Sequence, residues 1–211
     1  MSASSSSKVQ KTVSTLRARY GEISWWPGDR DEVMIGAILT QQTRWENVNC
    51  ALADLRLKGL CSIPALCSVN TGDIEAAVRC TGFYRVKTKR LQSLARHVME
   101  VYGSVDAMED VPTAVLRADL LSVNGIGEET ADSILCYGFS RTSFVMDAYT
   151  DKILRCTGIT EPRPAAKALF ERVLPCDNKV YREAHAHIVE YAKEFCGKKR
   201  CDTCILVNSS G

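Results

Sequence analysis

An all-α fold is predicted by three features of the sequence. Nearly every periodic segment repeats its apolar residues with the helical period. No segment alternates apolar and polar residues convincingly enough to indicate a β-strand. Glycine and proline residues divide the chain into about ten short segments with tight connections, a pattern typical of short packed helices.

The elements follow in order from their apolar faces and from the breakers between them. The clearest faces are Val48, Ala51, Leu52 and Leu55; Leu91, Leu94, Ala95, Val98 and Tyr102; and Tyr181, Ala184, His185, Ile188, Val189, Ala192 and Phe195. The breakers are Pro27-Gly28, Gly59, Pro64, Gly72, Gly82, Gly103, Pro112, Gly125 with Gly127, Gly158, and Pro162 with Pro164. His185 lies on the third face and is predicted to be a core residue, whereas His97 and His187 are predicted to be exposed.

Composition limits the class of protein. At 211 residues the chain can bury one sizeable core or two small ones, and its net charge of +2 neither favours nor excludes nucleic acid. The polar residues 1–10 predict a flexible tail. Ten cysteines without a secretory signal predict a reducing compartment, so we expect an intracellular protein, cytoplasmic and nucleoid-associated in a prokaryote. No apolar run is long enough for a membrane span.

Two glycines join two helical patterns in LLSVNGIGEETADSIL, residues 120–135. Gly125 and Gly127 allow a positive φ and let a partner approach the bare backbone. Because the second helix begins there, its first N–H groups point outward and can bind a phosphate. An ordinary turn between helices is the simpler interpretation, but the hydrophobic residues on both sides favour a phosphate site.

Four segments resemble the helix–hairpin–helix DNA glycosylases of the endonuclease III superfamily. They are SVNGIGEETADSIL, FVMDAYTDKIL, LTQQTRWENV and TGFYRVKTKRL, and the resemblance runs from about Trp25 to Cys204. The WWPG ahead of LTQQTRW is most similar to the 3-methyladenine DNA glycosylase III class. The resemblance implies a monomeric base excision repair enzyme whose partner is double-stranded DNA with a damaged base, and no membrane.

The resemblance also implies how the chain is organised. Residues 30–144 are expected to form a helical barrel that contains the helix–hairpin–helix, at about 118–136. Residues 1–29 together with 145–211 are expected to form a second helical lobe, with the active site in the cleft between the two.

Two acidic positions carry the expected chemistry. In family members that also cleave the strand, the second residue after Gly-X-Gly is a lysine that attacks the sugar; here it is Glu129. A carboxylate cannot form a Schiff base, so a glycosylase without AP-lyase activity is predicted. Asp147 matches the family's catalytic aspartate, which stabilises positive charge on the sugar and orients water. It precedes a helical pattern, so a helix N-cap is the simpler alternative, and both roles are compatible.

Removal of a base requires that it be extruded from the duplex. The resemblance implies that Gln42 fills the gap and that Phe83 wedges into the opposite strand, although packing roles are the simpler interpretation. Arg85, Lys87 and Lys89 follow Phe83 and, with the hairpin glycines, are predicted to contact the DNA backbone. A solvated helix face is the alternative for that basic run.

Three tryptophans indicate the substrate. In the resembling class, one of the pair Trp25 and Trp26 and the residue matching Trp45 sandwich the flipped base. An N-alkylated purine is cationic, and electron-rich rings hold a cation better than a neutral base. We therefore expect a 3-methyladenine-like lesion, whereas core packing is the simpler interpretation for one tryptophan of the pair.

The cysteines near the end of the sequence resemble an incomplete iron–sulfur motif. Cys196, Cys201 and Cys204 are similar to the loop that holds a 4Fe-4S cluster in many family members. That loop has four cysteines and a longer first gap, and a cubane cluster needs four thiolates. We expect the loop to be degenerate and the chemistry to need no cofactor.

Two other functions remain open. A uracil or thymine mismatch glycosylase would need polar groups that read a pyrimidine edge, and Gln41 could supply one. A non-catalytic helix–hairpin–helix DNA-binding protein is the alternative of another class, but such a protein has no need of an acid at Asp147.

Overall fold

The computed structural model describes residues 4–23, 25–26 and 28–208 of the chain. All regular secondary structure in these ranges is helical, which confirms the all-α prediction. The α-helices in them are α1 (Ser5–Tyr20), α2 (Arg30–Leu39), α3 (Trp45–Leu57), α4 (Ile63–Ser68), α5 (Thr71–Val78), α6 (Tyr84–Val101), α7 (Thr113–Ser122), α8 (Glu128–Ser133), α9 (Ala148–Cys156), α10 (Arg163–Val173), α11 (Asn178–Tyr191) and α12 (Ile205–Asn208). Short 3-10 helices span Arg79–Thr81 and Asp106–Met108, and π-helical turns span Ile134–Gly138 and Ala192–Cys196.

The chain divides into two compact units. One comprises residues 28–139 and holds α2 to α8; the other comprises residues 1–27 with 140–211 and holds α1 and α9 to α12. Among the described helices, none combines the length and apolar composition that crossing a membrane requires.

The 28–139 unit is built around α2. Every residue of this helix from Val33 to Leu39 is buried, because helices α3, α6 and α8 pack around it. Asp29 caps the helix by accepting a hydrogen bond of 2.9 Å from the Glu32 N–H. The predicted apolar faces of α3 and α6 are buried, including Leu55 and Leu91. The unit therefore has its own core, from which loops and helix ends emerge.

The other unit is built from α1, α10 and α11. Phe144 lies at its centre, stacked on Phe170 with ring centroids 4.3 Å apart and meeting Tyr181 edge to face at 5.9 Å. Helix α1 contributes the buried Val9 and Leu16. The segment that leads to Asp147 therefore starts from a rigid aromatic core.

Two predictions from composition and periodicity were wrong in this unit. Residues 1–3 of the predicted flexible tail lie outside the described residues, but α1 begins at Ser5 and buries Val9. His187 was predicted to be exposed; it is buried, with Nε2 2.8 Å from the Gly21 carbonyl oxygen and its ring stacked on Tyr20. In both places, contacts between α1 and α11 override the local polar pattern.

Candidate functional site

The hairpin between α7 and α8 uses its two glycines differently. Gly125 adopts the positive φ that a glycine allows, at +89°, whereas Gly127 has φ −95° and ψ 179°. Gly127 is the N-cap residue of α8, an extended position that other residues can adopt. Ile126, between them, is buried and anchors the turn. Only Gly125 is thus required by its backbone conformation.

Gly125 is also approached by a side chain. A Cβ at this position would lie 2.3 Å from Cγ and 2.6 Å from Nε of Arg90. Gln41 reinforces this contact, because its Nε2 donates to the Gly125 carbonyl and to Thr130 Oγ1, both at 3.0 Å, while Arg90 Nη1 donates to its Oε1. The hairpin is therefore tied to α6 and to the loop after α2.

Gln42 and Phe83 line the same cavity. Both have left-handed backbone conformations, with φ 54° and φ 48°, and both side chains are exposed, Phe83 by 69%. This cavity has a volume of about 130 Å³, and Val86 and Arg90 complete its wall. The structure thus brings the two predicted wedge residues together.

The predicted backbone-contacting cations divide into two kinds. Arg85 and Lys89 are exposed on α6, and Arg85 Nε lies 3.9 Å from a Glu75 carboxylate oxygen. Lys87 was also predicted to contact DNA, but this was wrong, because its side chain is 1% exposed. Helix α6 turns Lys87 towards the core, where polar acceptors are available.

Lys87 meets three oxygens inside the 28–139 unit. Its Nζ donates to the carbonyl oxygens of Leu39 at 2.8 Å and Thr81 at 3.0 Å, and also to Thr43 Oγ1. Burial, reinforced by the positive charge of Arg90, lowers the pKa of Lys87 to about 8.

Asp147 is a buried helix cap. Its Oδ1 accepts hydrogen bonds from the Thr150 N–H at 2.7 Å and from the Thr150 hydroxyl at 2.8 Å, so the capping role predicted for it is confirmed. Burial alone would raise the pKa of Asp147, but the facing His185 and these hydrogen bonds outweigh burial and hold it below the usual value of an aspartate. The buried carboxylate is therefore kept ionised.

His185 faces the second oxygen of Asp147. Its Nε2 lies 3.4 Å from Asp147 Oδ2, and its ring lies against Trp25, at 5.6 Å between centroids, and Phe144, at 6.5 Å. The sequence correctly predicted a buried histidine but missed this pairing. The available signal was its position on an apolar face, because a buried polar ring needs a polar partner.

The segment before Asp147 is held by α10. The Phe144 N–H donates to Glu171 Oε1 at 2.9 Å, and Lys167 Nζ donates to the Phe144 carbonyl and to Ser143 Oγ, both at 2.8 Å. Lys167 and Glu171 also pair with each other at 3.0 Å. Asp147 thus follows a backbone segment that is hydrogen-bonded to side chains of α10.

The tryptophans lie in different surroundings. Trp25 contacts His185, its carbonyl accepts a 2.8 Å hydrogen bond from Arg182, and Lys193 Nζ lies 5.6 Å from its ring centroid. Trp26 is half-buried in the same unit, and Trp45 is half-buried as the first residue of α3 in the 28–139 unit. The structure therefore places Trp25 against His185, which faces Asp147.

The three cysteines of the incomplete motif differ in exposure. Cys196 is half-buried, Cys201 is exposed, and Cys204 is buried with its Sγ 3.1 Å from the Tyr191 hydroxyl. Burial raises the pKa of Cys196, and the neighbouring thiols of Cys156, Cys204 and Cys201 add to the rise. Within the described ranges, no three cysteine, histidine or acidic side chains are grouped to hold a metal ion. The expectation of an empty loop remains a prediction, which iron analysis of the purified protein tests.

Comparisons with known proteins agree with this geometry. Residues 35–176 match the model of the HhH-GPD superfamily of base excision DNA repair proteins. A relative from Methanocaldococcus jannaschii, whose name assigns it to the DNA repair glycosylases, is 42% identical over 203 residues, covering 93% of this chain and 92% of the relative.

Solved structures extend the likeness to the fold. The crystal structure of H. pylori 3-methyladenine DNA glycosylase bound to 1,N6-ethenoadenine has a TM-score of 0.79 and 26% identity, covering 91% of this chain and 98% of the other. A non-covalent complex of endonuclease III with DNA has a TM-score of 0.82 at 16% identity, covering 98% and 95%. The chain belongs to the HhH-GPD superfamily of base excision DNA repair proteins and is one of its DNA glycosylases.

Proposed function

We propose that this glycosylase flips an N-alkylated purine out of double-stranded DNA and removes it by hydrolysis, without cleaving the strand. The observation that carries the proposal is the buried Asp147 carboxylate, kept ionised between the start of α9 and His185. A negative charge held in a site of low dielectric stabilises a developing positive charge far more than one in water does.

The reaction divides into bond cleavage and water attack. The bond between the base nitrogen and C1′ of the sugar breaks, and its electron pair leaves with the base. Positive charge then develops on the sugar, where Asp147 stabilises it. A water oxygen forms the new bond to C1′, and the proton it loses passes to the Asp147 carboxylate and then to solvent.

We assign base extrusion to the exposed loops of the 28–139 unit. Gln42 and Phe83 line one cavity, and both side chains are exposed, as entry into a duplex requires. Arg85 and Lys89 are exposed on the helix that follows Phe83, where they are available to phosphates. Double-stranded DNA is therefore the proposed partner.

Two observations support an alkylated purine as the lesion. Trp25 is half-buried beside the Asp147–His185 pair, and a tryptophan ring attracts a cationic base. The H. pylori 3-methyladenine glycosylase, which is similar over nearly its whole length, was crystallised with an ethenoadenine. An alkylated purine also has a weakened glycosidic bond, so the site needs no strong general acid.

The absence of lyase activity is proposed from Glu129. It is exposed in the first turn of α8, at the position that matches the family's nucleophilic lysine. Acidic side chains in a first helical turn are favoured by the helix dipole, and a carboxylate cannot form a Schiff base with the sugar.

A uracil or thymine glycosylase is the alternative, and Gln41 argues against its pocket. The amide of Gln41 is already bonded to Gly125, Thr130 and Arg90, so it is occupied in holding the hairpin. A pocket that reads a pyrimidine edge would have to obtain its polar groups elsewhere.

The test is base release from duplexes that carry a single alkylated purine, ethenoadenine, hypoxanthine, uracil or an oxidised base. Asp147→Asn should still bind DNA and keep the helix cap, because asparagine also caps, but it should lose base release by at least about a thousandfold. Asp151→Asn is the matched control, since Asp151 lies on the same helix and pairs with Arg163. Near-normal release by Asp147→Asn would remove the proposed mechanism.

A further inference from the structure

The acceptors of Lys87 lie in or at the ends of the two loops that carry the proposed wedge residues. Leu39 is the last residue of α2, and Thr43 lies four residues further along the chain. The two residues therefore flank Gln42. Thr81 precedes Phe83 by two residues, and the Lys87 backbone N–H donates to the Phe83 carbonyl at 3.0 Å. One buried ammonium group therefore touches both loops.

The two loops are also joined directly. Thr43 Oγ1 donates to the Thr81 carbonyl at 2.5 Å, and the same hydroxyl accepts from Lys87 Nζ. The ammonium has three N–H groups, and each has one of these three oxygens as its acceptor. A neutral amine has only two N–H groups and could not satisfy them all.

The loops need such support because of their backbone conformation. Gln42 and Phe83 each have a positive φ, an unfavourable conformation for a residue other than glycine. Such conformations persist only where surrounding contacts fix them. Bonds to Leu39, Thr43 and Thr81 fix the backbone on the flanks of both residues.

We propose that Lys87 is a positioning residue that holds the two loops at a fixed spacing, so that Gln42 and Phe83 enter the duplex together. The inference rests on the proposed function, in which these two side chains are the wedges. It assigns the buried lysine to base extrusion rather than to phosphate binding or covalent chemistry.

The role of Arg90 is consistent with this assignment. One turn further along α6, it donates to Gln41 in the same loop, and Gln41 in turn donates to the hairpin carbonyl at Gly125. Lys87 and Arg90 thus connect one face of α6 to every segment of the 28–139 unit proposed to contact DNA.

The test is a double-mutant cycle with a fluorescent duplex. The probe carries a stable abasic-site analogue opposite 2-aminopurine, whose fluorescence rises when the opposite-strand wedge unstacks it, whatever lesion the enzyme prefers. The equilibrium constant for this unstacking in the bound complex, called the extrusion constant because it reports entry of the wedge, is measured for the unchanged chain, Lys87→Met, Phe83→Ala and the double variant. We expect about a tenfold loss for each single variant and no further loss in the double variant, because Lys87 acts through Phe83.

The outcomes separate the inference from the proposed function. If Lys87→Met leaves extrusion unchanged, or lowers it equally with and without Phe83, the lysine has only a structural role and the inference is wrong. If Phe83→Ala alone leaves extrusion unchanged, the wedge role fails, and the inference fails with it.

Two further variants keep the test decisive. Thr43→Val removes the bridging hydroxyl and keeps the shape of the side chain, so it replaces Lys87→Met if that variant does not fold; we expect about a threefold loss that again disappears without Phe83. Lys58→Met makes the same change of charge at an exposed residue of the same unit, remote from the loops, and should leave extrusion unchanged.

Discussion

The 28–139 unit and the unit formed by residues 1–27 and 140–211 each bury a charged side chain, but they surround it differently. In the first, the ammonium of Lys87 meets two carbonyl oxygens and a hydroxyl. In the second, the carboxylate of Asp147 meets a helix N–H, a hydroxyl and a histidine ring. The first environment consists of loop backbone, and the second consists of groups that can share or exchange a charge.

This difference indicates what each charge is for. Burial lowers the pKa of Lys87, so its environment weakens the charge and uses it to gather backbone oxygens. At Asp147 the partners reverse the effect of burial and preserve the charge. A charge that is preserved against burial is available to a reaction, whereas one that is surrounded by loop carbonyls determines where those loops lie.

The largest effect on base release is expected for substitution of His185, which faces Asp147. In His185→Phe, burial is no longer offset by the histidine, so the pKa of Asp147 should rise until the carboxylate is almost wholly protonated at neutral pH. We expect base release at pH 7 to fall by about a hundredfold and to recover towards pH 9. Single-turnover rates between pH 5 and 9 measure the shift of the acid limb.

His187→Phe is the matched control for that experiment. His187 is buried two residues along the same helix, but it bonds the Gly21 carbonyl and stacks on Tyr20. It should alter the free energy of unfolding without moving the pH profile. An unchanged profile in His185→Phe would mean that Asp147 does not depend on the histidine for its ionised state.

A smaller effect on base release is expected for substitution of Trp45, a residue of the 28–139 unit. Trp45 lies in the 28–139 unit, yet it is proposed to stack on the flipped base. Trp45→Leu keeps an apolar contact and a good helix former but loses the electron-rich face, worth about 2 kcal/mol towards a cation, so release of a cationic alkylpurine should fall about thirtyfold. Release of neutral hypoxanthine should fall less. Equal losses would identify Trp45 as a packing residue only.

Lys87 should reveal its environment in the pH dependence of stability. Its pKa is lowered from 10.5 to about 8, so between these values the unfolded chain binds more protons than the folded one and stability should rise with pH. The penalty is fully present below pH 8 and disappears above 10.5. The unchanged chain should therefore gain on the order of 1 kcal/mol relative to Lys87→Met between these limits, the hydrogen bonds to the ammonium keeping the gain modest.

Urea unfolding of both proteins at several pH values measures this difference, because other titrating groups cancel between them. Lys58→Met, at an exposed position, should give a flat difference. A flat difference for Lys87→Met as well would show that the buried amine has an ordinary pKa.

The smallest expected effect is none at all. Borohydride treatment of a reacting mixture should trap no covalent adduct between the enzyme and DNA, because Glu129 cannot form a Schiff base. Lys87 is the informative exception to examine, since an amine with a pKa of about 8 is more nucleophilic than an ordinary lysine. An adduct that disappears in Lys87→Met would show that Lys87 takes part in covalent chemistry in the 28–139 unit. Lys87 would then not be a positioning residue alone.

The sequence was informative where a property is local. Helical periodicity predicted the helices, and the helical pattern after Asp147 predicted its capping role. The family resemblance added what no local pattern contains, namely the pairing of distant segments such as the loops of Gln42 and Phe83, which line one cavity.

The sequence was misleading where burial depends on distant oxygens or rings. A lysine in a basic run is usually solvated, and Lys87 is buried only because Leu39 and Thr81 present carbonyl oxygens to it. The pairing of His185 with Asp147 depends on how α11 packs on α9, which no spacing within either helix encodes. Gly127 could not be distinguished from Gly125, because the clash that matters is with Arg90 on another helix.

The two oxygens of Asp147 have different partners, and this restricts rotation of the carboxylate. Thr150 holds Oδ1 with two hydrogen bonds, and His185 faces Oδ2, so the carboxylate cannot turn about the bond that joins it to the side chain. A group that approaches it always meets the same oxygen in the same orientation. The start of α9 therefore acts as an alignment device, and a one-residue insertion between Asp147 and Thr150 would separate the two side chains by about 100° around the helix axis.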